Sequence, residues 1–249
     1  MKCAAIIVSA GRGHRFMKGQ KKQFLPLAGK PVLAHALDPF EGCPLIHSIH
    51  LVVGQEDMDY CLREIVEKYA YRKISQIVPG GKLRQDSVRS GIESLAREID
   101  IVLIHDGVRP FVSQGMIEES IHEAKLHKAA VVAVPVKDTI KRASRDRRVL
   151  ETLDRESLWQ VQTPQTFQAD VIREAFLRAA EDGFVGTDDA SLVERLGIKV
   201  RLVPGSYTNI KITTPEDFLL ANLLMETKML SCGQTAVTGK GLSGSREKE

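Results

Sequence analysis

Residues Cys3–Val8 form an unbroken run of small or apolar side chains. A strand with one wet face would alternate, so this run predicts a strand buried on both faces. Ser9-Ala10-Gly11-Arg12-Gly13 follows as a tight glycine turn. Apolar residues next recur at helical spacing over 32–37 and 58–69, at strand spacing over 49–54 and 74–78, then as helix over 88–97, strand over 101–104, helix over 116–127 and strand over 129–134. Alternation of strand and helix with crossover-length connections predicts an α/β fold: a mostly parallel, Rossmann-like open sheet with helices on both faces.

The rhythm breaks between residues 135 and 164. Polar alternation, a Ser144-Arg145-Asp146-Arg147 turn and seven basic residues (Lys137, Lys141, Arg142, Arg145, Arg147, Arg148, Arg155) predict a protruding β-hairpin arm at about 136–160. A hairpin has little core of its own, so it must lie on its own domain or on a second subunit, which makes a homodimer the expectation. The α/β pattern then resumes with a helix over 170–181, a short helix capped at 186–189, a strand over 199–203 and a last short strand over 209–212. Thr214-Pro215-Glu216-Asp217 is a helix start with cap, N1 proline and acidic first turn. Residues 1–230 are read as a single domain, and the glycine-rich, apolar-poor 231–249 as a disordered tail.

Composition narrows the class. With 249 residues, 43% hydrophobic and 27% charged, the chain is an ordinary globular protein, and a net charge of +3 is too mild to demand nucleic acid. The four cysteines fall at no metal-ligand spacing, and Cys3 and Cys61 sit in apolar segments, as buried thiols of a reduced compartment do. Residues 2–10 are too short an apolar run, without a cleavage-like linker, for a secretory signal, and no run approaches the roughly 18 apolar residues of a membrane helix. The expectation is a cytoplasmic protein with small anionic substrates and no membrane partner.

The chemistry gathers in loops after strands, where open α/β sheets bind ligands. Gly11 and Gly13 bare the backbone to approaching oxygens, and Arg12, Arg15, Lys18, Lys21 and Lys22 add a dense positive field. Phe16 stands where a dinucleotide fingerprint needs a small residue, and a P-loop lysine motif is absent. Five cations suit a nucleoside triphosphate attacked at its α-phosphorus, although a merely solvated basic loop is the bland alternative. The second glycine loop, with Gly80, Gly81, Lys82, Arg84 and Ser87, reads equally as a helix cap and as a nucleotide contact. Asp106 emerges from an apolar strand, where it could hold Mg²⁺ or a substrate hydroxyl, and Arg109 could grip a phosphate; a salt bridge between the two is the structural alternative. Lys211 joins the same edge. No activated serine or cysteine stands beside a histidine, which suits a phosphate-monoester acceptor that is already ionised at neutral pH.

Nine segments in order carry a family resemblance: residues 9–16, 22–25, 80–88, 105–110, 135–141, 154–155, 158–165, 187–190 and 209–213. Together they resemble the 2-C-methyl-D-erythritol 4-phosphate cytidylyltransferases over residues 3 to about 226. The resemblance implies transfer of CMP from CTP to methylerythritol phosphate in the non-mevalonate isoprenoid pathway, with pyrophosphate released and Mg²⁺ held mainly by the CTP phosphates. It implies Arg15 and Lys22 as the catalytic cations, and a nucleotide site built from Ser9, Ala10, Gly11, Gly13, Gly81, Lys82, Ser87 and Gly107. Asp106, Arg109, Thr163 and Lys211 would bind the acceptor, while Thr139 and Arg155 on the arm would reach the acceptor site of a neighbouring subunit in a homodimer. Ser9 and Gly107 stand where the family usually has alanine, and Lys82 where an acidic residue is frequent. The alternatives are a ribitol-5-phosphate cytidylyltransferase and a non-catalytic nucleotide-sensing module.

Overall fold

A computed structural model describes residues 1–11 and 21–237, with side chains described through residue 227. β1 (Cys3–Val8) is followed by a two-stranded ribbon of β2 (Pro26–Leu27) and β3 (Lys30–Pro31), then α1 (Val32–Gly42), β4 (Ile46–Val53), α2 (Met58–Tyr60) and β5 (Ile74–Pro79). α2 continues into a π-helical stretch, Cys61–Glu67, that buries Cys61 and Ile65. Next come α3 (Arg84–Glu93), β6 (Ile101–Asp106), α4 (Gln114–His127), β7 (Ala129–Pro135), β8 (Lys141–Ala143), β9 (Val149–Thr152) and β10 (Trp159–Gln168). α5 (Ala169–Glu181), α6 (Asp189–Glu194), β11 (Arg201–Pro204) and α7 (Pro215–Val237) complete the described chain.

Seven strands form one sheet in the order β11-β7-β10-β6-β1-β4-β5. Every pairing is parallel except those of β10, which runs antiparallel to both β6 and β7. The pleat of β1 explains its unbroken apolar run. Ala4 and Ile6 join a core with Val88 and Ile92 of α3 and Ile172 and Phe176 of α5. Cys3, Ala5 and Ile7 point the other way, into a core with Leu33 and Leu37 of α1 and Ile117 and Ile121 of α4. With helices on both faces, neither side of β1 can be polar.

Three sequence expectations are corrected. Residues 159–168, assigned in part to the arm, are a central strand, and their polar side chains hid this because they are satisfied inside the sheet. Thr166 Oγ1 donates to Ser120 Oγ at 2.8 Å, Gln162 Nε2 donates to the Ser206 carbonyl at 2.7 Å, and Gln165 serves α6. Residues 209–212 are not a strand; they are a loop tied to the sheet edge by the Ile212 N–H on the Val108 carbonyl at 2.9 Å. Residues 231–237, expected in the tail, continue α7, while 238–249 lie outside the described residues. The start of α7 is as its sequence implies: Asp217 Oδ2 accepts from the N–H groups of Thr213 and Thr214, each at 2.8 Å.

The arm is the hairpin β8–β9, exposed along its whole length. Its base is fastened by the Lys137 ammonium 3.3 Å above the Tyr207 ring and by Tyr207 Oη donating to the Pro135 carbonyl at 2.7 Å. Among the described residues Val149 and Leu150 remain 61% and 57% exposed.

Candidate active site

From β1 the chain winds outward through β4 and β5, then returns to place β6 on the other side of β1. The strand order therefore reverses between β1 and β6, and the carboxyl ends there diverge around a crevice. It is a cleft of about 890 Å³. Ser9, Ala10 and Gly11 form one wall, Gly80, Gly81, Lys82 and Ser87 another, and Lys22, Asp106 and Lys211 also line it. A side chain at Gly80 would collide with Ala10 and stand 2.8 Å from Ser87 Oγ, so glycine is what lets the two loops meet. Ser87 shapes its own loop: its hydroxyl donates to the Leu83 carbonyl and accepts from Gly81 N–H, both at 3.1 Å. α3 starts at Arg84, earlier than the expected 88, with Leu83 as its N-cap; Asp86, within the first turn, accepts from Leu83 N–H at 3.0 Å, and the loop lines the cleft.

Lys22 begins a short 3₁₀ turn whose position is set by its neighbours. Buried Gln23 donates through Nε2 to the carbonyls of Ser9 at 3.1 Å and Gly11 at 3.4 Å, tying the turn to the β1 loop. On the other side, Lys21 Nζ lies 2.6 and 2.7 Å from the Asp57 carboxylate oxygens and 2.9 Å from Glu56 Oε1. Lys21, counted in the sequence with the polyanion-binding field, is thus engaged by acids that follow β4. Gly13 and Arg15, together with Arg12 and Lys18, lie outside the described residues.

The floor of the cleft is a chain of charges. The Arg84 guanidinium sets Nη1 and Nη2 on the two oxygens of Asp189, at 3.0 and 2.8 Å, and Nε on Asp106 Oδ1 at 3.1 Å. Lys211 Nζ takes the other Asp106 oxygen at 2.8 Å, and Arg109 Nε lies 3.6 Å from the same atom. Burial alone would raise the Asp106 carboxyl, but the charges of Arg84, Lys211 and Arg109 outweigh it and hold the group well below the usual carboxylate range. For Arg84, burial acts against the charged form, and the two aspartates more than offset it. The salt bridge expected between Asp106 and Arg109 is therefore one edge of a larger network.

A second row supports the first. Thr163 Oγ1 accepts from Asp106 N–H at 3.1 Å and donates to His105 Nδ1 at 2.9 Å, while His105 Nε2 donates to the Arg109 carbonyl at 3.2 Å. Burial pushes the His105 pKa down to about 4, so the ring is neutral at neutral pH, and a neutral ring that donates from Nε2 accepts at Nδ1. Asn209 donates to Gln162 Oε1 and the Thr163 carbonyl, and its own carbonyl accepts from Arg109 Nη1 at 2.8 Å.

Of the residues singled out in the sequence, the cleft wall unites Ser9, Ala10, Gly11, Lys22, Gly81, Lys82, Ser87, Asp106 and Lys211. Arg109 and Thr163 stand behind Asp106. Gly107 is buried between β1 and α1 and gives its N–H to the Val8 carbonyl at 2.9 Å, so its part is to let the loops close rather than to face the cleft. Thr139 and Arg155 are exposed on the arm, with Arg155 Nη1 on the Lys137 carbonyl at 3.3 Å. Sequence reading missed the roles of Gln23, Gln165 and Asp189; for Asp189 the signals were its place in a helix-capping run and in the 187–190 segment of the family resemblance.

An open, mostly parallel sheet with two loops and cations converging on a cleft at its switch point defines a nucleotide-handling α/β enzyme. Comparison with known proteins specifies which. The model of the 2-C-methyl-D-erythritol 4-phosphate cytidylyltransferase family matches residues 3–227. A protein of that name from Caldanaerobacter subterraneus subsp. tengcongensis is 48% identical over 225 residues, covering 90% of this chain and 99% of the relative. Another, from Pelotomaculum thermopropionicum, is 47% identical over 227 residues, covering 91% and 95%. The crystal structure of 4-diphosphocytidyl-2C-methyl-D-erythritol synthase from Anaerococcus prevotii is similar with a TM-score of 0.81 at 33% identity, covering 90% of this chain and 96% of that one. The chain belongs to the 2-C-methyl-D-erythritol 4-phosphate cytidylyltransferase family.

Proposed function

We propose that the protein transfers CMP from CTP to 2-C-methyl-D-erythritol 4-phosphate and releases pyrophosphate. The observation that carries the reading, beside family membership, is that Lys22 and Lys211 line the same cleft as the two nucleotide-type loops. One cation can serve the triphosphate while the other serves a second phosphate.

In this reading the acceptor phosphate, whose second pKa is about 6, is ionised at neutral pH and needs no general base. One of its oxygens forms a bond to the α-phosphorus of CTP. The bond from that phosphorus to the bridging oxygen breaks, and the electron pair leaves with pyrophosphate. Lys22, and Arg15 by the family resemblance, stabilise the charge that builds at the α-phosphate and the leaving group. The Ala10–Gly11 and Gly81–Ser87 backbones hold the nucleotide, Lys211 holds the acceptor phosphate, and Asp106 accepts from an acceptor hydroxyl. Arg109 and Thr163 act from behind by fixing Asp106.

Magnesium fits this site chiefly through the nucleotide: both Asp106 oxygens are engaged by Arg84 and Lys211, which leaves the triphosphate oxygens as its principal ligands. When bound it supplies neutralisation of the triphosphate. The arm, with its exposed Val149 and Leu150, supports a homodimer in which Thr139 and Arg155 complete a neighbour's acceptor site. Among the described residues no helix is long and apolar enough to cross a membrane.

The test is pyrophosphate release from CTP on addition of methylerythritol phosphate, with UTP and ATP as parallel donors. Acceptor-dependent release from CTP supports the reading. Release that ignores the acceptor, or prefers a purine nucleotide, removes it.

A further inference from the structure

We infer that Asp189 is a positioning residue of the transfer reaction: by holding one edge of the Arg84 guanidinium, it confines Arg84 to a single contact with Asp106 and leaves the second Asp106 oxygen to Lys211. The inference rests on the reading that Lys211 meets the acceptor phosphate.

Asp189 is 1% exposed and does not line the cleft, whereas Arg84, Asp106 and Lys211 all do. It can therefore act only through a neighbour. Guanidinium presents its donors as a planar fork that prefers to grip a carboxylate with two parallel hydrogen bonds. The two Nη atoms of Arg84 point at Asp189, so Arg84 meets Asp106 through Nε alone. Without Asp189, that fork would be free to turn to Asp106, its other carboxylate partner, where it competes with Lys211 for Oδ2. Asp189 is itself held firmly. Gln165 Oε1 accepts from the N–H groups of Asp189 and Ala190, both at 3.0 Å, and Gln165 Nε2 donates to Asp188 Oδ2 at 2.8 Å. Thus β10 sets both ends of the charge chain, through Gln165 at Asp189 and through Thr163 at Asp106.

The experiment is steady-state pyrophosphate release by wild type, Asp189→Asn, Asp189→Glu and Arg84→Met/Asp189→Leu, with CTP and methylerythritol phosphate varied separately. Asp189→Asn is expected to raise the acceptor KM by about tenfold or more, with the KM for CTP within about twofold of wild type. Asp189→Glu should recover part of the loss. The double variant removes the displaced cation together with its holder, so its acceptor KM should lie at least about threefold below that of Asp189→Asn, or below that of Asp189→Glu if Asp189→Asn does not fold. An unchanged acceptor KM in Asp189→Asn, or an acceptor KM in the double variant as high as in the single variant, overturns the inference. Should wild type itself show no acceptor-dependent release, the transfer reading falls separately. Calorimetric titration of methylerythritol phosphate into wild type and Asp189→Asn then decides the positioning role: weaker binding by the variant supports it, and equal binding overturns it.

Discussion

Ser9 and Gly107 share one space: a β-carbon built on Gly107 would stand 3.0 Å from Ser9 Cβ and 3.1 Å from Ser9 Oγ. The Ser9 hydroxyl is buried without a hydrogen-bond partner among the described residues. The absence of a β-carbon at Gly107 thus leaves the room that the Ser9 side chain occupies. Gly107→Ala alone is expected to destabilise the protein by about 1–3 kcal/mol through overpacking. Ser9→Ala removes an unsatisfied hydroxyl and should be neutral or stabilising by up to about 1 kcal/mol. Urea unfolding of the two singles and the double checks the contact: Leu33 Cδ1 at 2.9 Å and Ser9 Cβ at 3.0 Å remain in the double, so Ser9→Ala should recover only part of the Gly107→Ala loss, and strictly additive effects would refute the Oγ contact.

Two adjacent lysines should behave differently. Lys22 lines the cleft, so Lys22→Ala is expected to lower kcat by about 10²–10³-fold while the urea midpoint stays close to wild type. Lys21 is engaged by Asp57 and Glu56. Lys21→Met should therefore change kcat by less than about fivefold yet cost about 1 kcal/mol in unfolding free energy, because it leaves the buried Asp57 carboxylate unpaired. Equal kinetic losses in the two variants would place Lys21 back in the phosphate field.

Buried His105 carries a pH prediction. Its folded pKa, about 4, lies below its unfolded value of about 6.5, so between these limits the unfolded state binds the extra proton. Stability from this group is present above pH 6.5 and is lost as the pH falls toward 4, by an amount on the order of 3 kcal/mol. His50, also lowered by burial, adds to the same slope. Asp106 titrates lower still and does not contribute in this window. Unfolding free energies measured from pH 7.5 to 4.5 should fall in wild type and fall less in His105→Gln; equal slopes would show that His105 is not the titrating group.

Most of the fold was legible because its signals are local. The apolar run of β1, the glycine stops after strands and the Thr214–Asp217 cap each depend on neighbours in sequence. β10 was not legible because Gln162, Thr163, Gln165 and Thr166 are core residues of polar type, satisfied by groups 44 to 58 residues away in several cases. The site divides along the same line. Loop residues such as Gly11, Lys22 and Lys82 announce themselves by type and spacing, whereas Asp189 meets Arg84 across 105 residues of chain, a relation created only by the fold. Lys21 shows the converse limit, since charge clustering in sequence does not reveal which cation already has a partner.

The arm yields a mixing prediction. Were Thr139 and Arg155 to complete a partner's site, Arg155→Ala and Lys22→Ala homodimers would each be inactive for different reasons. A mixed dimer would hold one site with both defects and one with neither. Unfolding and refolding the two variants together should then restore about a quarter of wild-type activity by random pairing. No gain over the separate variants would place Arg155 in its own chain's site or outside the reaction.

The central claim is met most directly by measuring pyrophosphate release from CTP and Mg²⁺ with methylerythritol 4-phosphate or ribitol 5-phosphate as the sole acceptor. The account predicts release with methylerythritol phosphate and little with ribitol phosphate. Preference for ribitol phosphate would contradict the assigned acceptor while leaving the nucleotidyl-transfer chemistry, and release with neither would contradict transfer itself.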